Sequence, residues 1–308
     1  MLKSDTGCGR EPLVDTIVRF LARERATDAR EIRECVERAI DESGPGALDA
    51  LSGRLFKGGT EWAYYQHDPL ARRIHQALAS RVLQPEPVVH GAHHLAKVSN
   101  KPLVIFANHL SYSDANVVEV ILRNLGCNGN ASCLADRLTA IAGPKVYSNL
   151  TRRFSSLCFG TIKVPQSSER SSEDAVMPPR DVARAARRAI EIAQERLALG
   201  EALLIFAEGS RSRTGQMQQF LPGTARYLER PGTWVLPIGI AGTEKLFPID
   251  AAGLHAVPIT MSIGRPIQAS DLRDRFRRDR RMMMDCVGRA VADLLPPEYR
   301  GVYGLPSA

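Results

Sequence analysis

The sequence contains no apolar run close to the ~20 residues that a membrane-spanning helix needs. Residues 1–20 also lack the apolar core of a signal peptide. The six cysteines show no C-x-x-C spacing, which argues against a zinc site or a disulfide framework and favours reduced thiols. No G-x-S-x-G motif occurs, which argues against a serine esterase. We therefore expect a cytoplasmic protein, soluble or peripheral on the inner face of a membrane.

The charge is unbalanced, with a formal net charge of +7 and a pI of about 9.2. This excess favours anionic partners, namely nucleic acid, phosphate-bearing substrates or acidic lipid surfaces. Residues 271–281 hold six arginines, but three aspartates interrupt the run and no nucleic-acid-binding motif accompanies it. We expect a solvated basic helix that rests on an anionic membrane surface, and no nucleic acid as partner.

The first part of the chain is predicted to be helical, because its apolar residues recur every three or four positions. Predicted helices begin at Pro12, Asp28, Ala47 and Leu70. Prolines at 85 and 87 interrupt this pattern and mark a boundary. The sequence therefore predicts an N-terminal helical region of residues 1–86 and a second domain of residues 87–308.

The second domain alternates apolar strands with helices. The predicted strands are Leu103–Ala107, Asn128–Leu134, Cys158–Val164, Ala202–Ala207, Trp234–Ala241 and Val257–Ile263. The predicted helices are Ala115–Asn124, Asp181–Leu199, Pro222–Glu229 and a single basic helix, Ser270–Leu295, whereas residues 141–150 are read as a helix or a loop. This alternation predicts an α/β fold, a mixed and mostly parallel sheet flanked by helices on both faces, with the small N-terminal helical unit.

A histidine and an aspartate lie five residues apart where the first strong strand ends. Asp114 can accept the Nδ1 proton of His109 through a turn, which leaves Nε2 free to act as a base. No nucleophile accompanies the pair, so an alcohol substrate is a candidate for that role. Asp114 is equally suited to cap the helix that follows it, and the two roles are compatible. Ser111 is expected to hold the loop through hydroxyl–backbone bonds.

A second polar segment, Glu208-Gly209-Ser210-Arg211, directly follows another predicted buried strand. Arg211 offers a fork suited to a phosphate, and Ser210 adds a hydroxyl. Gly209 allows close approach of a ligand, and Glu208 can accept from Arg211 or from a substrate hydroxyl. Taken alone, the segment favours a simpler interpretation, a loop after a strand that carries a surface arginine. Together with the His109 loop, it indicates an enzyme that acts on a phosphorylated alcohol.

The two segments resemble motifs of the glycerolipid acyltransferase family, the 1-acylglycerol-3-phosphate and glycerol-3-phosphate acyltransferases. Residues 108–114 match the pattern N-H-x-S-x-x-D, and residues 206–212 match F-x-E-G-[ST]-R-S about a hundred positions later. The apolar run 235–238, with its proline, resembles a further block of the family. The resemblance covers residues 88–268.

The resemblance implies acyl transfer from acyl-CoA or acyl carrier protein to a hydroxyl of lysophosphatidate or glycerol 3-phosphate. It implies His109 as general base, Asp114 as its partner, and Glu208 and Arg211 at the acceptor phosphate. Backbone N–H groups or the Ser111 hydroxyl are expected to meet the oxyanion. No metal or redox cofactor is expected, since the histidines at 90, 93 and 94 have no cysteine or carboxylate nearby to complete a ligand set.

One family block departs from its pattern. Gln166 stands where the family has an arginine that contacts the acceptor phosphate, and Lys163 is the candidate replacement. The alternatives are therefore an acyltransferase for a lyso-lipid other than lysophosphatidate, or a catalytically silent basic protein that binds lipid or membrane.

Overall fold

The computed structural model describes residues 9–21, 26–126, 134–165, 177–246 and 255–304. Strands from these ranges form one sheet: β1 (Tyr64–Tyr65), β2 (Val88–His90), β3 (Leu103–Ala107), β4 (Leu138–Ala142), β5 (Gly160–Lys163), β6 (Ala202–Ile205), β7 (Trp234–Ala241), β8 (Thr260–Ile263) and β9 (Ile267–Gln268). The helices are α1 (Arg10–Leu21), α2 (Ala26–Glu42), α3 (Ala47–Lys57), α4 (Pro69–Val82), α5 (Asp114–Gly126), α6 (Leu150–Ser156), α7 (Pro179–Ala198), α8 (Thr243–Leu246), α9 (Ala269–Arg275) and α10 (Arg280–Ala292).

The strand order is β1-β5-β4-β6-β3-β7-β8-β2, and β9 pairs with β7. The five strands from β5 to β7 are parallel. Strand β1 pairs antiparallel with β5, β8 and β9 pair antiparallel with β7, and β2 pairs parallel with β8. This confirms the predicted mixed, mostly parallel sheet. Strands β3 and β6 are direct neighbours, with Leu103 opposite Ala202 and Phe106 opposite Ile205. Because the two strands are parallel, the loops that follow them leave the sheet at the same edge.

Strand β3 is fully buried because helices cover both faces of the sheet. Leu103 and Ile105 belong to an apolar cluster that includes residues of α1, α2, α3, α4 and α5. Val104 and Phe106 point to the opposite face and join a cluster with α7, α9 and α10. Burial on both faces explains why β3 reads as an uninterrupted apolar run.

The helices before β2 contribute directly to this packing. Strand β1 pairs with β5 at the sheet edge, and α2 packs against both α1 and α4. The boundary near residue 86 stays a prediction. Within the described ranges, no helix combines the length and the apolar content needed to cross a bilayer.

The predicted single helix Ser270–Leu295 is wrong, because two helices, α9 and α10, occupy this segment. Arg277 and Arg278 separate them with left-handed φ angles of 48° and 63°, a conformation that no right-handed helix contains. The Asp279 carboxylate then accepts from the Met282 N–H and starts α10 as an N-cap.

Other boundaries differ from prediction. Residues 141–150, read as a helix or a loop, contain the end of β4, a 3₁₀ turn (Pro144–Tyr147) and the first residue of α6. The strand predicted for residues 257–263 begins only at Thr260, and Pro222–Leu228 is a 3₁₀ helix. The strand predicted for residues 128–134 lies outside the described residues, apart from Leu134, which is in a turn.

Candidate active site

The imidazole of His109 is held by a buried carboxylate. His109 follows β3, and its Nδ1 lies 2.8 Å from Oδ2 of Asp114, the first residue of α5. The same oxygen accepts the N–H groups of Leu110 (2.7 Å) and Ser111 (2.9 Å). Since this oxygen already acts as an acceptor, we assign the proton of the shared bond to Nδ1. Nε2 is then the unprotonated nitrogen of His109.

A hydroxyl on α8 completes the shell around the carboxylate. Thr243 Oγ1 donates to Asp114 Oδ1 at 2.6 Å, and both side chains are fully buried. Both carboxylate oxygens are thereby hydrogen-bonded, which fixes the position that Asp114 offers to His109.

Glu208 joins the two motif loops. Its Oε1 accepts the His109 backbone N–H at 2.8 Å, and its Oε2 accepts the Gln218 N–H at 2.7 Å. The Ser212 N–H donates to the His109 carbonyl at 2.8 Å, so the loops after β3 and β6 are bonded in both directions. The fully buried Glu208 side chain therefore holds the backbone of His109 in place.

Two further side chains fix the loop after β3. The Asn108 amide exchanges two 2.8 Å hydrogen bonds with the backbone of Ile240, and so continues the pairing with β7 past the end of β3. The ring of Phe206 stacks on the His109 imidazole with a centroid separation of 4.3 Å and an interplanar angle of 19°. The imidazole is therefore restrained by a hydrogen bond on its edge and by an aromatic ring on its face.

His109 lies on the wall of a cavity of about 1230 Å³. Helices α1, α3, α4 and α5 contribute what we call the apolar wall: Leu13, Ile17, Leu55, Leu78, Ala79, Val82, Val117 and Val120. The cationic residues on the lining are Lys145, Arg152, Arg211, Arg213 and Arg226. The cavity thus offers an apolar surface and several cations beside the His109 imidazole.

The Acyltransferase family model matches residues 86–241, slightly more than half of the chain. The chain belongs to the acyltransferase family. The match spans both motif loops, β3 through β7, and the helices between them.

Two similar proteins are chloroplastic 1-acyl-sn-glycerol-3-phosphate acyltransferases of Arabidopsis thaliana and Brassica napus, each 30% identical to this acyltransferase over 95 residues. These residues are 30% of this chain and 26% of each relative, so the chain spans about a quarter of the length of the curated relatives it matches. The crystal structure of the 1-acyl-sn-glycerophosphate (LPA) acyltransferase PlsC from Thermotoga maritima aligns with a TM-score of 0.46 and 22% identity, covering 73% of this chain and 76% of that chain.

The residues predicted for the substrate fall into two groups. Gly209, Ser210 and Arg211 line the cavity of this acyltransferase, and Gly209 has a φ of 75° that favours glycine. Ser111 and Glu208 are fully buried behind the lining, and the Ser111 hydroxyl lies 2.9 Å from that of Ser113. Their predicted roles in substrate or oxyanion binding stay predictions.

Lys163 is held away from the cavity lining. Its Nζ donates to the Gly59 carbonyl at 2.6 Å and lies 4.7 Å from the centroid of the Trp62 ring. Burial lowers the pKa of the Lys163 ammonium, and the charge of Arg153 lowers it further. The proposal that Lys163 replaces the arginine of the family block stays a prediction, and Gln166 lies outside the described residues.

A second histidine–carboxylate pair, which the sequence analysis did not identify, lies on the same cavity. His75 of α4 lines the cavity, and its Nε2 lies 3.0 Å from Oε2 of the fully buried Glu119 of α5. Burial favours a raised pKa for Glu119, but the hydrogen bonds from His75 and Arg123 outweigh it and lower the pKa. The pair therefore links α4 to α5 through a buried carboxylate. Across the part of the chain that is described, no group of three or more His, Cys, Asp or Glu can hold a metal ion.

Thr243→Val is expected to lower kcat about 3- to 10-fold, since one hydrogen bond to the Asp114 carboxylate contributes roughly 1 kcal/mol. KM should change little, because Thr243 does not line the cavity. Thr243→Ser, which keeps the hydroxyl, should restore most of the rate. Steady-state kinetics of both variants with one donor and one acceptor measure the effect. An unchanged kcat in Thr243→Val would show that the Thr243–Asp114 hydrogen bond does not contribute to the rate.

Proposed function

We propose that this acyltransferase moves a fatty acyl group from acyl-CoA or acyl carrier protein to a hydroxyl of a glycerol-phosphate-type lipid acceptor. Lysophosphatidate is the first acceptor to test, and glycerol 3-phosphate is the second. The observation that carries this proposal is the position of His109. Its imidazole, oriented by the buried Asp114, lines a cavity that has both an apolar wall for an acyl chain and arginines for a phosphate.

The proposed reaction needs one base and two substrates. The acceptor hydroxyl gives its proton to Nε2 of His109 as the hydroxyl oxygen attacks the thioester carbonyl. The resulting tetrahedral intermediate collapses, the carbon–sulfur bond breaks, and the thiolate takes the proton back from the imidazolium. Asp114 stabilises the imidazolium between the two transfers. An ester and a free thiol are the products.

The surroundings of His109 favour direct transfer over an acyl-enzyme. Among the described residues, no Ser, Thr or Cys side chain is hydrogen-bonded to the imidazole, which instead bonds Asp114. Ser111, the nearest hydroxyl in sequence, pairs with Ser113 behind the lining. The acceptor hydroxyl is therefore the proposed nucleophile.

The apolar wall is the proposed site for the acyl chain. On α4, the lining residues 75, 78, 79 and 82 follow helical spacing and present one face to the cavity. Burying each methylene of an acyl chain against such a wall contributes about 0.8 kcal/mol. The length of the wall should therefore set which acyl chains bind well.

Ala79→Phe is expected to shift the preference toward shorter acyl chains, because the phenyl ring would fill part of the apolar wall. The ratio of kcat/KM for palmitoyl-CoA to that for octanoyl-CoA should fall at least about 10-fold, which corresponds to roughly two methylenes of lost burial. Ala79→Val, a smaller addition, should give an intermediate ratio. Equal ratios in all three proteins would place the acyl chain elsewhere.

The proposed function is tested by release of CoA thiol from palmitoyl-CoA with purified protein. The acceptors are lysophosphatidate, glycerol 3-phosphate, a neutral monoacylglycerol and lysophosphatidylcholine, and a parallel series uses palmitoyl-acyl carrier protein. Product esters are identified by mass spectrometry. Transfer that requires a phosphomonoester acceptor supports the proposal. Transfer only to the other two acceptors would favour a different lyso-lipid acceptor, and transfer to none would favour a silent lipid-binding protein.

An anionic membrane surface is the proposed partner on the outside of the molecule. The turn between α9 and α10 exposes Arg277 and Arg278, the adjoining helix ends expose Arg275 and Arg281, and Met282 is 52% exposed. Exposed cations next to an apolar side chain suit a layer of acidic headgroups. Co-sedimentation with phosphatidylglycerol vesicles that weakens as salt rises would support this contact, and equal binding to phosphatidylcholine vesicles would contradict it.

A further inference from the structure

We propose that Arg152 of α6 forms, together with Arg211, the site that binds the phosphate of the acceptor, and that Tyr112 sets the positions of the two guanidinium groups. This inference rests on the proposed function, which it deepens by naming a residue that lies outside every family motif. The site would take a phosphomonoester.

The two arginines meet at one aromatic ring. The Cζ atom of Arg211 lies 3.8 Å from the centroid of the Tyr112 ring, and that of Arg152 lies 4.0 Å from it. All three side chains line the cavity that contains His109. Cation–π contacts at these distances restrain both guanidinium groups without using their N–H donors.

No carboxylate in the described part of the chain neutralises either guanidinium. Within the described ranges, no carboxylate lies within 4.0 Å of Arg152 or Arg211, although nineteen pairs between a basic side chain, histidine included, and a carboxylate occur there. Arg152 donates one weak bond, from Nη1 to the Lys145 carbonyl at 3.3 Å. Since a guanidinium has five N–H donors, most remain available to a ligand.

Electrostatics favours an anion at this point. Two like charges held against one ring repel each other, and the repulsion is relieved when an anion bonds to both. A phosphomonoester carries close to two negative charges at pH 7 and three acceptor oxygens, which suit two guanidinium forks. A carboxylate has fewer oxygens and less charge, so it fits the pair less well.

Arg152 and Arg211 are connected to the proposed base, His109, through the loops that carry Tyr112 and Arg211. Tyr112 belongs to the same loop as His109, and Arg211 belongs to the loop that Glu208 bonds to the His109 backbone. A phosphate bound here would hold the rest of the acceptor beside the imidazole. The attacking hydroxyl would then be oriented for transfer of its proton to His109. The Lys163 ammonium is engaged by Gly59 and Trp62, so Arg152 is the better candidate for the second charge.

The test compares two acceptors that differ only in the phosphate, lysophosphatidate and the monoacylglycerol with the same chain. In Arg152→Gln, KM for lysophosphatidate should rise about 10- to 100-fold, the loss expected for charge-assisted hydrogen bonds. KM for palmitoyl-CoA, and whatever low rate the wild-type protein has with the monoacylglycerol, should stay within about 2-fold. Arg187→Gln removes the same charge from an 83% exposed side chain on α7 and should leave the kinetic constants for both acceptors unchanged.

Conservative variants separate charge from geometry. Arg152→Lys keeps the charge but loses the fork and the stacking, so it should recover only part of the affinity. Tyr112→Phe keeps the ring and should retain KM for lysophosphatidate, whereas Tyr112→Leu should raise it. A rise in KM for palmitoyl-CoA alone in Arg152→Gln would overturn the proposal and assign Arg152 to the phosphates of the donor. No change in either KM would overturn it as well.

A binding measurement separates this inference from the proposed function. Calorimetric titration of glycerol 3-phosphate and of inorganic phosphate into the wild-type protein, Arg152→Gln and Arg187→Gln requires no turnover. Weaker binding of both ligands to Arg152→Gln alone would support the phosphate site even if no acyl transfer were found. Equal binding to all three proteins, or no binding to the wild type, would overturn the site whatever the activity.

Discussion

Replacing His109 with alanine is expected to lower kcat/KM for acyl transfer by about 10³- to 10⁴-fold, the usual contribution of a positioned general base with its orienting carboxylate. The alanine leaves the acceptor hydroxyl without a proton acceptor, while the apolar wall and the arginines that line the cavity stay in place. KM should therefore change much less than kcat. The measurement is steady-state release of CoA thiol with the acceptor that the wild-type protein prefers.

The matched control for this variant is His90→Ala, which removes an exposed histidine on β2 and should leave the rate unchanged. Circular dichroism and thermal unfolding of both variants confirm that the fold is intact. A His109→Ala protein that retains more than about one tenth of the wild-type kcat would exclude general-base catalysis by this residue.

Glu208→Ala is expected to lower the free energy of unfolding by about 2–6 kcal/mol. The loss arises because the partly buried backbone N–H groups of His109 and Gln218 would lose their acceptor, at a cost of roughly 1–3 kcal/mol each. Since native domains have only about 5–15 kcal/mol of stability, a loss of this size is severe. The activity should fall in parallel, because the same bond places the base.

Urea denaturation followed by fluorescence measures the effect on stability. Glu191→Ala, which removes a 46% exposed carboxylate on α7, is the matched control and should change stability by less than about 0.5 kcal/mol. Glu208→Gln keeps an acceptor oxygen and should fall between the two. A Glu208→Ala protein within 1 kcal/mol of the wild type, about the expected loss for a single unsatisfied donor, would contradict the role of Glu208 in holding the His109 backbone.

The sequence predicts the strands that are buried on both faces. Strands β3, β6 and β7 are almost continuous apolar runs, and the structure places all three side by side in the sheet. Strand β4 was not recognised, because its five residues, LTAIA, suit a short helix as well as a strand. The break between α9 and α10 was also missed, since left-handed arginines at 277 and 278 replace the glycine or asparagine that normally marks such a turn.

In the candidate site, too, the contacts between residues close in sequence could be predicted and those between distant residues could not. His109 and Asp114 are five residues apart, so the spacing alone suggests that they pair, and the structure places them 2.8 Å apart. Thr243 bonds Asp114 from 129 residues away, and Arg152 of α6 contacts Tyr112 in the loop before α5. Sequence spacing contains no signal for either contact. The arrangement of the sheet and its loops brings these side chains together.

The apolar wall affects how the acyl-chain specificity of this protein can change by mutation. The family pattern begins at residue 86, whereas the wall residues on α1, α3 and α4 all precede it. Under the proposed function, most of the wall that selects the chain length is therefore encoded before the stretch that carries out the reaction, and Val117 and Val120 of α5 belong to both. A mutant library confined to the cavity-facing positions of these three helices should change which fatty acids are used without changing a motif residue. A sequence search based on the motifs alone would not distinguish the members of such a library.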